Sequence, residues 1–145
     1  MKWLKPCVNL MGIWWNRLQH VDGVWRELDA PDFETFCKVI MRSDLIMDFG
    51  YGYGRVTDLV YGHRANVHAV FWSKEAWRNP EPILVGLTRL SLEYKLMRIE
   101  CVVPAKSKGL RRFLENRLFF HLEGVLKNYY RLSSGFEDAA VYAMA

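Results

Sequence analysis

An apolar run with strand character, residues 66–72, gives way at WRNPEPIL (residues 77–84) to a helical pattern. Such junctions are where proteins hold phosphates, because unpaired N–H groups at a helix start point at the anion. Arg78 would add a guanidinium there and Asn79 an amide. Pro80 and Pro82, however, have no N–H to donate, and Glu81 carries a charge that repels anions. Two readings of the junction follow: a phosphate site faced by Arg78 and Asn79, or a rigid turn in which Pro80 or Pro82 opens the helix.

A second group of cations, Lys106, Lys108, Arg111 and Arg112, surrounds the start of a later helical pattern. The helix dipole and the side-chain charges would act together on an anion there; the plainer reading is a solvated basic face. Extending the group by Lys127, Tyr129, Tyr130 and Arg131 would suit bases stacked on tyrosines beside cations. Alternating strand residues produce such mixtures routinely, so nucleic acid is not the expected partner. His68, in the middle of NVHAVFW, has the right intrinsic pKa for a general base, although a satisfied, partly buried histidine is the commoner outcome. Asp48 and Asp58 could meet a cationic amine or simply end their strands. GYGYG at 50–54 lacks the G-x-G-x-x-G spacing and reads as a turn that uses glycine's positive φ.

Bulk properties set the frame. The 145 residues suffice for one core, and a composition 51% hydrophobic and 25% charged is that of an ordinary globular protein. The net charge of +4 is compatible with an anionic ligand but too small to indicate nucleic acid. Cys7, Cys37 and Cys101 are an odd, widely spaced set that fits reduced thiols, gives no metal site and points to the cytoplasm. The N-terminal stretch, broken by Pro6, Asn9 and Asn16, reads as neither a leader nor a membrane span.

The elements that must position these residues follow from periodicity. Leu10, Ile13, Trp14 and Leu18 share a helical face, and DAPDFETFCKVIMRS is a second helix that Asp29 or Asp32 can cap. DLIMDF, GRVTDLVYGH and NVHAVFW form an antiparallel meander. PILVGLTRLSLEYKL is a helix, MRIECVVP a strand, and SKGLRRFLENRLFF a helix that Ser107 could cap. EGVLKNYYRL and AAVYAMA close the chain as a long hairpin. Trp3, Trp14, Trp15 and Trp25 belong by default in the core. The sum is one α/β (α+β) domain over residues 1–145, with helices packed on a mixed, mostly antiparallel sheet.

That order, ending in FFHLEGVLKNYYRLSSGFEDAAVYAM, resembles the GNAT superfamily of acetyl-coenzyme A-dependent N-acetyltransferases, and within it the ribosomal-protein N-terminal acetyltransferases. Phe120, Glu123 and Gly124 match the family's GF…EG step, Gly135 and Asp138 its G-x-x-D turn, and Tyr142 its late aromatic. The resemblance covers roughly residues 44–145. It implies a bulged strand leading into (Q/R)-x-x-G-x-(G/A), a loop whose N–H groups hold the cofactor's pyrophosphate. Arg78 fits the first position, Glu81 stands for the central glycine and Ile83 for the final small residue. Further on, Lys108, Arg111 and Phe119 stand where the family places Asn, Ser and Gly, and Glu115 where some members carry an acidic tyrosine.

By this resemblance the chain moves an acetyl group from acetyl-CoA to a primary amine. Val70, Phe71 and Trp72 would contact the cofactor through the backbone. Arg78 and Asn79 would hold its phosphates, with Lys108 and Arg111 beside its adenosine end, and His68 would be the base. The alternative is a catalytically inactive GNAT-fold binding or structural module with a protein partner, of bacteriophage or mobile-element origin.

Overall fold

The structure, a computed structural model, describes residues 2–19 and 32–145, so Trp25 and Asp29 lie outside the described residues. Strands β1 (Leu45–Asp48), β2 (Gly52–Val60) and β3 (Arg64–Phe71) are the antiparallel meander expected from their alternating residues. β4 (Arg98–Pro104) lies parallel to β3. β6 (Gly135–Met144) pairs antiparallel with β4, and β5 (His121–Leu132) forms the outer strand. The sheet order is β1-β2-β3-β4-β6-β5, and the segment at Leu4 bridges Ile46 on the far side of β1.

Helices α1 (Val8–Leu18) and α2 (Phe33–Met41) cover one face of the sheet. Asp32 caps α2, its side chain accepting from the Thr35 N–H at 2.7 Å. Trp14 is fully buried, stacked on Tyr53 at 4.6 Å, with its indole N–H donated to Asp48 Oδ2 at 3.0 Å. Asp48 also accepts from the Gly50 N–H, so it serves the turn rather than an amine. Gly50 has φ +89, the left-handed conformation expected of the GYGYG turn. Gly52 answers a different need: a Cβ there would fall inside van der Waals contact of the Val70 carbonyl and the Phe71 backbone.

A short helix α3 (Glu75–Arg78), not foreseen from the sequence, precedes α4 (Glu81–Tyr94). With α5 (Lys108–Asn116) these helices cover the other face, around Met47, Ile83, Leu87, Leu90, Phe113 and Tyr142. α5 stops at Asn116 instead of running to Phe120, and Ser107 precedes it without a side-chain capping bond. Among the described residues no helix is long and apolar enough to cross a membrane, and no cluster of His, Cys, Asp or Glu could hold a metal.

Candidate functional site

Where β3 and β4 run side by side, the pairing lasts for three residues, Arg64–Arg98, Ala65–Ile99 and Asn66–Glu100. Beyond it the strands separate, leaving the second half of β3 with a free edge. β3 keeps an unbroken register with β2 from Asn66 to Phe71. The irregularity lies at Thr57–Val60, at the opposite end of the hairpin, where Asp58 takes φ +52. The bulge implied by the resemblance is therefore absent from this part of β3.

Strand geometry sorts the three backbone candidates. The Trp72 N–H donates to the Tyr51 carbonyl at 2.9 Å, so Trp72, and by alternation Val70, direct their amides toward β2. The Phe71 amide lies on the opposite, free edge. Val70 and Trp72 send their side chains to the α1/α2 face, whereas Phe71 packs into the α4/α5 core. Trp72 also donates its indole N–H to the Gly50 carbonyl and lies under the Arg17 guanidinium at 5.1 Å.

Aromatic rings join the end of β3 to α5 across the gap. Trp77 on α3 stands edge-on to Phe71 at 5.8 Å and to Phe113 at 4.7 Å, and Phe71 meets Phe113 at 6.3 Å. Such T-shaped contacts add to simple burial, and Phe113 is 5% exposed. The Trp77 carbonyl accepts from Arg117 at 3.3 Å, which ties α3 to the segment after α5.

At the loop itself, the Asn79 N–H turns back to the Glu75 carbonyl and its own carbonyl accepts from the Tyr51 hydroxyl at 2.7 Å. Burial pushes the Tyr51 phenol up to about 12. The Ile83 N–H sits against the same hydroxyl and donates to the Pro80 carbonyl at 3.0 Å, as does the Leu84 N–H at 3.1 Å. Pro80 is the N-cap of α4 and Pro82 lies in its first turn, so the plainer reading of the prolines describes the geometry. Arg78, Asn79 and Glu81 are exposed. A shallow cavity of about 250 Å³ beside them is lined by Asn79, Glu81, Pro82, Val85 and Arg89, on the outer side of α4.

The other candidates lie apart from this loop. His68 is on the α1/α2 face, paired in register with Arg55 and hydrogen-bonded through Nε2 to Thr57 Oγ1 at 2.9 Å. Burial, reinforced by Arg55 and partly opposed by Asp58, pushes its imidazole down to about 4. Lys108 is exposed. Arg111 turns inward, donating to the Tyr142 hydroxyl and the Ala105 carbonyl, both at 2.9 Å. Tyr142, fully buried, donates in turn to Glu115 at 2.9 Å. Phe119 has φ +61, the left-handed conformation that suits the glycine expected at its position. Tyr51 escaped the sequence reading, and nothing in the spacing of Tyr51, Trp77 and Phe113, so far apart in the chain, marks the three as neighbours.

The chain superposes on a GNAT-family acetyltransferase from Bacillus anthracis with a TM-score of 0.71 at 16% identity, covering 98% of this chain and 92% of that one. Against a spermidine N-acetyltransferase chimera from Vibrio cholerae and hSSAT the TM-score is 0.73 at 12% identity, over 99% and 96%. A probable acetyltransferase matches at 0.55 and 18% over 64% of this chain, which spans about half of that protein's length (53%). No protein-family model and no curated protein matches the sequence. The chain therefore has the GNAT fold, the architecture of these acetyltransferases, while the ribosomal-protein subtype has no specific support.

Proposed function

We propose that this chain uses the GNAT fold as a binding or structural module and does not carry out acetyl-CoA-dependent transfer. The observation that carries this reading is the state of the α3–α4 junction. Of the N–H groups that would face a pyrophosphate, two positions are proline and those of Asn79, Ile83 and Leu84 are bonded to backbone carbonyls. Glu81 adds a carboxylate at the same point. The residues present do not fit the cofactor. The ring cluster of Phe71, Trp77 and Phe113 supports the same conclusion, because it joins β3 to α5 where the strand edges separate. So does His68, whose lowered pKa makes it a poor base at neutral pH.

A second reading, transfer of an acetyl group from acetyl-CoA to a primary amine, has one observation in its favour. Ala69, on the free part of β3, is exposed, so the edge is accessible there even though Phe71 is packed. The superposable neighbours are acetyltransferases, spermidine N-acetyltransferases among them.

Calorimetric titration with acetyl-CoA, and with free coenzyme A beside it, separates the two. The expected result is no heat and no thermal stabilisation at millimolar ligand. Micromolar binding, of order −8 kcal/mol, would overturn the first reading and establish that exposed cations such as Arg78 and Lys108 replace the missing N–H groups.

A further inference from the structure

We draw no further inference here: the strongest candidate, the free edge of β3 from Val67 to Phe71 where β4 separates from it, belongs to the site already described, and nothing in the structure shows what would pair with it.

Discussion

Trp77→Ala tests whether the rings across the β3–β4 gap are packed as described. Trp77 is 38% exposed, so about three-fifths of its surface is covered, largely by Phe71 and Phe113. A fully buried tryptophan removes up to about 250 Å² from water, which puts the covered part at roughly 150 Å². At about 25 cal/mol per Å² that is close to 4 kcal/mol, before any credit for the two edge-to-face contacts. The site is partly open and water can refill it, so a net loss of about 3 kcal/mol is expected. For a chain of this size each kcal/mol lowers Tm by roughly 2–4 °C, giving a fall of about 6–12 °C. Thermal melts read it directly, with Trp77→Phe as a control that keeps a ring and loses about 1 kcal/mol. A Trp77→Ala protein melting within about 2 °C of wild type would refute the packing argument. The junction would then have to be judged on its N–H groups alone.

Two further outcomes follow from local geometry. His68 titrates near 4 in the folded chain and near 6.5 unfolded, so the unfolded state binds its proton first as the pH falls. Its contribution to stability is complete above about 6.5 and is lost between about 6.5 and 4; the loss, of order 2–3 kcal/mol, should be smaller in His68→Gln when urea midpoints are compared at pH 7 and pH 4.5. Lys95 ends α4 with φ +52 while its N–H bonds to Ser91, and its side chain is exposed. Lys95→Gly removes the Cβ clash of that conformation and should raise stability by about 0.5–1 kcal/mol in chemical denaturation, whereas a loss would mean that the lysine's charge at the helix end outweighs the strain.

Much of the architecture was readable because each element repeats a simple pattern. The meander of β1 to β3, the apolar stripe of α4 and the closing hairpin all have periods that the backbone enforces over several residues. Asp32 was legible as a cap because its role is met three residues away. The helix α3 was not legible: four residues are too few to show a period. The end of α5 was misjudged because Leu118 and Phe120 continue the apolar pattern, although the chain bends at Arg117 and enters β5 after Phe119. At the candidate site the sequence displayed the unsuitable residues of the loop, since proline and glutamate declare their chemistry by type. It could not display what occupies the space nearby. Tyr51 reaches Asn79 from 28 positions away, and Phe113 reaches Trp77 from α5. Contacts of that range depend on the whole sheet being assembled.

The position of β6 has a consequence for how the protein comes into being. It is the last of the six strands to be synthesised, yet it lies between β4 and β5 and carries the fully buried Ala139, Ala140 and Tyr142. Until β6 emerges from the ribosome, β4 has a bare edge and β5 has nothing to pair with. The half of the sheet nearest the N-terminus can close as it is made, but the other half must wait for β6. For that interval the apolar side chains of β4, α5 and β5 stand open together, which makes this stage, rather than the finished fold, the one most exposed to aggregation and to binding by chaperones.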